Sequence, residues 1–200
     1  MKKIILASNN IKKIKEIKEI LKEYPYEVYS LKDMNIDIEV EEDGLTFEDN
    51  AKKKAIEIQQ YLLNKGESNF IVLSDDSGLE VDCLNGAPGV YSARYAGEHG
   101  NDYNNNIKLL KEMKNFKGND RSAKFVCVIA VVFEDGTINC IRGEVKGSII
   151  EELKTEGGFG YDPLFFCDKL NKTFGEATPK EKNEISHRGN ALKRLKEILA

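Results

Sequence analysis

An uninterrupted apolar run extends from Phe125 to Phe133, and it limits the possible folds more than any other segment of the chain. Its length and its content of valine and isoleucine are typical of a strand that is buried on both faces at the centre of a sheet. Glu134-Asp135-Gly136-Thr137 follows it, and a second strand-like stretch begins at Ile138. Because an Asp-Gly pair between two such stretches indicates a tight turn, the sequence predicts a β-hairpin that contains the central strand.

Helices and shorter strands alternate through the rest of the chain. Strands are predicted over short apolar stretches, namely Ile4 to Ala7, Tyr26 to Leu31, Phe70 to Leu73 and, after a tight turn, from Leu79. Helices are predicted where apolar side chains recur at helical spacing, as at Ile14, Ile17, Ile20 and Leu21, and after the start signals at Thr46 and Thr178. The predicted fold class is therefore α/β with a mixed central β-sheet flanked by helices. The length of the chain suits a single domain over residues 1–200 or two tightly joined lobes.

Composition excludes some classes of function. The chain has 34 acidic and 30 basic residues and a net charge of −4, so a dedicated nucleic-acid-binding protein, which normally carries a basic excess, is not predicted. The four cysteines form no C-x-x-C pair, which favours reduced, structural thiols. The N-terminal apolar stretch is too short for a signal peptide and no segment has the length of a membrane span, so we expect a cytoplasmic protein without a membrane partner.

Four polar segments lie at the ends of predicted strands, where ligands bind in α/β sheets. The first, Ser8 to Lys13, opens a helix. Its free backbone N–H groups and the ammonium group of Lys13 suit a bound phosphate. The segment lacks the glycine pattern of a P-loop, and an ordinary helix cap is the alternative interpretation.

The second and third segments are acidic. Glu39, Glu41, Glu42 and Asp43 precede a predicted helix, and either they form a solvated turn or one of them points inward as a Mg²⁺ ligand. Asp75 and Asp76 follow a buried strand at a predicted tight turn, where a cation would offset the unfavourable burial of two charges. The alternative is that Asp75 and Ser77 cap backbone groups of that turn. Among Lys52, Lys53 and Lys54 on the helix between the two segments, at most one is expected to share a site, because adjacent helical positions are about 100° apart.

The fourth segment is Phe159-Gly160-Tyr161-Asp162, with Lys182, His187 and Arg188 further along the chain. Aromatic residues in a glycine-rich loop can stack on a flat base, while arginine and backbone N–H groups donate to its carbonyl oxygens. Taken singly, Phe159 is more typical of a core residue and His187 of a helix cap. A lone histidine makes a poor zinc site, and no serine or cysteine has a partner base at the spacing of a catalytic motif.

Together, and in this order, these segments resemble the inosine triphosphatase (ITPase) family, also called dITP/XTP pyrophosphatases, of the bacterial type. The resemblance covers the whole chain and rests on six motifs: Leu6 to Asn10 with Lys13, Glu42 to Phe47 with Asn50-Ala51, Ser74 to Leu79, Gly86 to Tyr95, Gly157 to Pro163, and Ile185 to Gly189. In one motif the sequence departs from the family, because Ser8-Asn9-Asn10 stands where many relatives carry Thr-Gly-Asn. The contacts of Ser8 and Asn9 are therefore the least transferable.

The resemblance implies an elongated, two-lobed fold with an active-site cleft between the lobes, and a homodimer with the Gly86 to Tyr95 segment as part of the contact. It implies Mg²⁺ as cofactor, with Glu42 and Asp76 as ligands. Asp76 is the implied catalytic residue that orients or deprotonates the attacking water, with Asp75 as second candidate. The residues implied to hold the triphosphate are Ser8, Asn9, Asn10, Lys13, Lys54, Ser77 and Lys182. Those implied to form the base pocket are Phe159, Gly160, Tyr161, Asp162, His187 and Arg188.

The implied activity is hydrolysis of XTP, ITP and dITP to the monophosphate and pyrophosphate, which removes non-standard purine nucleotides from the pool. Two alternatives belong to other classes. One is a pyrophosphatase that acts on modified pyrimidine nucleotides, as in the distantly similar Maf-like proteins. The other is a non-catalytic nucleotide-binding protein, although the carboxylates that the activity needs are all present.

Overall fold

A computed structural model describes residues 2–199 and shows a seven-stranded sheet with the strand order β2-β1-β3-β4-β5-β6-β7. The strands are β1 (Lys3–Leu6), β2 (Glu27–Ser30), β3 (Phe70–Val81), β4 (Ser122–Phe133), β5 (Ile138–Ile149), β6 (Phe165–Cys167) and β7 (Lys172–Thr173). β1 pairs in parallel with β2 and β3, whereas β6 is antiparallel to β5 and β7. The predicted α/β fold with a mixed sheet is therefore confirmed.

The apolar run lies where its composition predicts. β4 is the fourth strand in the order, and its residues from Phe125 to Val132 are buried. The turn to β5 is closed by the N–H of Phe133, which donates to the carbonyl of Thr137 at 2.9 Å, and by the carboxylate of Asp135, which accepts from the N–H of Thr137. The predicted hairpin is confirmed.

The helices begin at polar caps that the sequence contains. They are α1 (Ile11–Leu21), α2 (Phe47–Asn64), α3 (Asp102–Glu112), α4 (Pro179–Ile185) and α5 (His187–Leu199). Thr46 caps α2, and Thr178 with Glu181 forms a complete capping box at α4. α4 ends at Ile185, and α5 begins as a separate helix after Ser186. None of the helices within residues 2–199 combines the length and the apolar character needed to cross a lipid bilayer.

The chain divides into two compact units. The first comprises Met1–Asp76, Cys127–Gly143 and Arg188–Ala200, and its core joins apolar residues of α1 and α5 to those of β1, β3 and β4. The second comprises Ser77–Val126 and Glu144–His187, and its core includes a cluster of Phe125, Phe165 and Phe174 with ring centroids 4.7 to 5.9 Å apart. All four cysteines are free thiols.

One local prediction is wrong. The tight turn predicted at Asp75-Asp76-Ser77-Gly78 does not form, because β3 runs without interruption from Phe70 to Val81. Turn-forming residues are overridden here because β3 lies in the interior of the sheet, between β1 and β4. Asp75 and Asp76 therefore lie within a strand, and their charges are compensated by side chains from helices, as described next.

Candidate active site

Asp75 lies at the centre of a buried group of charges in the first unit. It is 2% exposed, and its carboxylate contacts Lys13 Nζ at 2.6 Å, Arg188 Nε at 3.2 Å and the thiol of Cys127 at 2.9 Å. Burial alone would raise the pKa of Asp75, but the charges of Arg188 and Lys13 outweigh it and hold that pKa well below its usual range. A carboxylate that is ion-paired in this way is a poor proton acceptor, so the geometry disfavours Asp75 as the base.

Asp76, the next residue of β3, has different neighbours. It is 5% exposed, accepts a hydrogen bond from Asn50 Nδ2 at 3.1 Å, and lies 3.7 Å from Lys54 Nζ. Burial raises the pKa of Asp76, and the nearby charge of Lys54 offsets this only in part. Successive side chains of a strand project to opposite faces, which explains why the two adjacent aspartates have separate partners.

Lys54 of α2 connects Asp76 to the acidic segment. Its Nζ lies 2.5 Å from Glu42 Oε1 and donates to the backbone carbonyl of Asp75 at 2.8 Å. Glu42 is half-buried, whereas Glu39, Glu41 and Asp43 are exposed. Lys52 and Lys53 pair with the exposed acids Glu48 and Asp43. Of the three consecutive lysines, Lys54 is thus the one that joins the site, as the helical spacing predicts.

The residues Glu42 and Asp76 fit a Mg²⁺ ion. Both carboxylates lie within reach of one ammonium group, that of Lys54, so this place already accommodates a positive charge. Within residues 2–199, no group of three or more histidine, cysteine or acidic side chains is placed to hold a metal. Mg²⁺ is commonly bound through one or two carboxylates together with water and substrate phosphates. A pair of carboxylates is therefore a suitable donor set for this ion.

Asn50 belongs to one of the six motifs but had no predicted role, and its side chain links the two acidic segments. While its Nδ2 donates to Asp76, its Oδ1 accepts the N–H of Gly44 at 2.8 Å. Gly44 must be small, because a Cβ there would lie 2.6 Å from Asn50 Oδ1 and 2.8 Å from the Cβ of Asp49. A buried asparagine within the apolar stripe of α2, one turn after Phe47, is the signal that could have identified it.

The N-terminal segment forms the cap of α1. Asn10 Oδ1 accepts the N–H groups of Lys12 and Lys13, both at 3.1 Å, and Ser8 Oγ accepts the N–H of Asn10. Asn9 is exposed and donates to the carbonyl of Ile38. Asn10 therefore acts as the helix cap, in line with the alternative interpretation of this segment. Phosphate binding by Ser8, Asn9, Asn10 and Lys13 stays a prediction. Ser77, which follows Asp76 on β3, is half-buried.

In the second unit, residues 158–162 form a loop that we call the aromatic loop. The carboxylate of Asp162 is buried, accepts the N–H of Phe159 at 2.9 Å, and lies 2.7 Å from Lys182 Nζ. Lys182 Nζ also lies 4.2 Å from the centroid of the Phe159 ring. Lys182 Nζ also lies 5.8 Å from the centroid of the Phe174 ring, and the role predicted for Lys182 in holding the triphosphate stays a prediction.

Tyr161 and His187 are also buried in this unit. The hydroxyl of Tyr161 donates to the carbonyl of Ser92 at 2.8 Å, and burial raises the pKa of Tyr161. The His187 ring stacks on Phe125 with a centroid distance of 4.8 Å and an interplanar angle of 13°. These contacts stabilise the shape of the unit. Contacts of Phe159, Gly160, Tyr161, Asp162 and His187 with a base stay predictions.

Arg188 begins the last segment of the first unit, and its side chain is 1% exposed. Besides Asp75, its guanidinium contacts the carboxylate of Glu16 from α1. Asp75 is buried and Glu16 is half-buried, and the role predicted for Arg188 in binding the base stays a prediction. The sequence did not indicate Glu16, because an acid on the polar face of an amphipathic helix looks the same whether or not it has a buried partner.

Comparison with known proteins identifies the family. The model of the Ham1 family matches residues 4–198. The chain belongs to the Ham1 family. A "dITP/XTP pyrophosphatase" of Clostridium perfringens is 61% identical over 199 residues, which are 100% of this chain and 98% of that relative. A protein of the same name from Clostridium tetani is 53% identical over 100% of this chain and 96% of its own length.

Solved structures of Ham1 proteins share the fold. The Ham1 protein of Staphylococcus aureus superimposes with a TM-score of 0.85 at 43% identity, covering 99% of this chain and 98% of that one. The resemblance found in the sequence motifs is therefore confirmed at the level of the family and the fold.

Proposed function

We propose that this Ham1-family chain hydrolyses the non-standard purine nucleotides XTP, ITP and dITP to the monophosphate and pyrophosphate. Relatives named dITP/XTP pyrophosphatase support this activity, and one of them is 61% identical over the whole of this chain. The structural observation that carries the proposal is that Glu42 and Asp76, which are far apart in the sequence, meet at the ammonium group of Lys54.

We propose Mg²⁺ as the cofactor, held by Glu42 and Asp76. When bound there, the ion would neutralise charge on the phosphate oxygens and make the phosphorus more susceptible to attack by water. In phosphoryl transfer the protein mainly positions the reactants and compensates charge. The two carboxylates would hold the ion in position, and the ion and the lysine would compensate the charge of the phosphates.

Asp76 is the residue that we assign to the attacking water. Its carboxylate orients the water and accepts a proton as the oxygen bonds to the α-phosphorus, while the bond to the β-phosphate oxygen breaks and pyrophosphate leaves. Asn50 holds one oxygen of Asp76 in place, so the other faces Lys54. Lys13 and Lys54 supply positive charge for the triphosphate, and the N-terminus of α1 supplies oriented N–H groups.

Selection of the base is assigned to the aromatic loop. Phe159 offers a face for stacking, and donors of the loop recognise the carbonyl at the purine six-position of inosine and xanthosine nucleotides. Adenine carries an amino group at that position, so a donor of the loop would face a donor of the base. Each hydrogen bond lost in this way would weaken binding by about 1–3 kcal/mol. Guanine shares the six-carbonyl, so its rejection is assigned to its two-amino group.

We further propose a cytoplasmic homodimer. The free thiols suit a reducing compartment. In the segment predicted to form part of the dimer contact, the side chain of Tyr91 is 54% exposed, and exposed aromatic residues are common at protein interfaces. Light scattering at several protein concentrations tests the dimer directly.

Pyrophosphate release tests the activity. We expect release from ITP, XTP and dITP in Mg²⁺, little release from ATP and GTP, and none in EDTA. Asp76→Asn should lower turnover by at least ~10²-fold without unfolding the protein. The matched control is Asp43→Asn, which neutralises an exposed acid paired with Lys53 and should keep normal turnover.

Three outcomes would contradict these assignments. Equal rates on ATP and ITP would contradict the assignment of base selection, and near-normal turnover of Asp76→Asn would remove Asp76 from the chemistry. Release from modified pyrimidine nucleotides in place of ITP would favour a Maf-like activity. Binding of ITP without release of pyrophosphate would favour a non-catalytic nucleotide-binding protein.

A further inference from the structure

The backbone of Gly160 in the aromatic loop is held on both sides by side chains from the start of α3. Asp102 Oδ2 accepts the N–H of Gly160 at 2.9 Å, and Asn106 Nδ2 donates to its carbonyl at 2.8 Å. Gly160 has a φ of 59°, in the left-handed region that favours glycine. Because glycine is the most flexible residue, these two hydrogen bonds fix a conformation that the chain alone would leave free.

The hydrogen bonds of Asn106 explain why a polar side chain occupies this buried position. It is 2% exposed, and its Nδ2 also donates to the carbonyl of Asp102 at 2.8 Å. Since both neighbours are carbonyls, the amide must present its nitrogen to them. Its Oδ1 is buried and has no hydrogen-bond partner within the described chain. An unsatisfied buried acceptor is unfavourable, so the two bonds from Nδ2 account for an asparagine where an apolar residue would pack more easily.

The two halves of the aromatic loop are braced differently. Around Phe159 the support comes from within the loop, since Asp162 accepts the Phe159 N–H, and Lys182 of α4 in turn pairs with Asp162. Around Gly160 the support comes from outside the loop, from Asp102 and Asn106 one helical turn apart on α3. The position of the peptide groups between Phe159 and Tyr161 therefore depends on α3.

We infer that Asp102 and Asn106 are positioning residues for recognition of the purine base. By holding the peptide groups on either side of Gly160, they keep Phe159 and Tyr161 where the base is selected, and they act through the loop without themselves taking part in the chemistry. This inference rests on the proposed function, which assigns base selection to the aromatic loop.

The test compares four variants. Asp102→Ala and Asn106→Ala each remove one bond to Gly160, whereas Asp102→Asn keeps an oxygen that can accept the Gly160 N–H. The matched control is Asn105→Ala. Asn105 is equally buried on the same helix, but it bonds to the backbone of Ala93 and Ala96 and has no hydrogen bond to the loop. The measurements are kcat and KM for ITP and ATP in Mg²⁺, the affinity for IMP by calorimetry, and thermal stability.

We expect KM for ITP to rise about tenfold in Asp102→Ala and Asn106→Ala, which corresponds to about 1.4 kcal/mol. The kcat for ITP should change less than about twofold, because the carboxylate site is untouched, and IMP affinity should fall in parallel with the rise in KM. The preference for ITP over ATP should fall, Asp102→Asn should restore it, and Asn105→Ala should keep it.

Two results would overturn the inference, and they are distinguishable. If wild-type protein hydrolyses ITP but the two alanine variants match Asn105→Ala in KM, preference and IMP affinity, the positioning role alone is wrong. If wild-type protein neither hydrolyses ITP nor binds IMP, the proposed function fails together with it. Should Asn106→Ala not fold, the pair Asp102→Ala and Asp102→Asn still decides, because Asp102 is only half-buried.

Discussion

Replacement of Lys54 by methionine tests the central feature of the candidate site. The side chain of Lys54 is 12% exposed and lies between Glu42 and Asp76. Loss of one partner from a fully buried ion pair costs about 3–5 kcal/mol, and loss from an exposed pair about 0–1 kcal/mol. The intermediate burial here leads us to expect a loss of about 2 kcal/mol of unfolding free energy. For a chain of this size, that loss lowers Tm by roughly 4–8 °C.

The assay is thermal unfolding of wild type and Lys54→Met in EDTA and at increasing Mg²⁺. Without the lysine, Glu42 and Asp76 face each other with no cation between them, so Mg²⁺ should stabilise the variant more than the wild type. Recovery of about 2 kcal/mol corresponds to free Mg²⁺ at roughly thirty times its Kd. Lys53→Met is the matched control, since Lys53 pairs with the exposed Asp43, and we expect it to unfold within a degree or two of the wild type.

Two results would contradict the role assigned to Lys54. If Lys54→Met in EDTA is as stable as Lys53→Met, the ammonium group does not compensate the two carboxylates. If Mg²⁺ raises the Tm of wild type, Lys53→Met and Lys54→Met by the same amount, the ion does not bind where Lys54 holds these carboxylates together.

The remaining predictions concern the residues around the two aspartates of β3. Gly44→Ala would place a Cβ 2.6 Å from Asn50 Oδ1; we expect a loss of about 1–3 kcal/mol and weaker stabilisation by Mg²⁺ in the same thermal assay, and an unchanged response to Mg²⁺ would disprove the link through Asn50. Arg188→Met leaves the buried carboxylate of Asp75 without one of its cations, so urea unfolding should show a loss of about 3–5 kcal/mol, whereas a loss under about 1 kcal/mol would mean that Lys13 alone suffices.

The framework of the fold is predictable from local patterns. The run from Phe125 to Phe133 defines the central strand, and Asp135-Gly136 defines its hairpin, because both signals depend only on neighbouring residues. Thr46 and Thr178 define helix starts for the same reason. The turn predicted at Asp75 was wrong because sheet pairing on both sides of β3 outweighs the turn preference of Asp-Asp-Ser-Gly.

The candidate site is only partly predictable. Helical spacing predicts that at most one of Lys52, Lys53 and Lys54 belongs to the site. The structure shows that Lys54 is the one that contacts Glu42. The partners of Arg188 were not predictable, because the ion pairs that bury it join residues more than a hundred positions apart. The roles of Asn50 and Asn106 were not predictable for a related reason, since their hydrogen-bond partners come near them only when the chain folds.

The parallel register of β1 and β3, in which Leu6 lies opposite Leu73, has a consequence for the two aspartates that follow. Side chains alternate between the faces of a strand, so a slip of β3 by one position would turn Asp75 and Asp76 to the opposite faces of the sheet, away from their partners. Such a species would keep both acids and much of its secondary structure, yet the two carboxylates would have lost their contacts with Lys13, Lys54 and Arg188. Strand alignment therefore decides whether the proposed site forms, and a preparation of correct mass and circular dichroism can still contain molecules in which the site is absent.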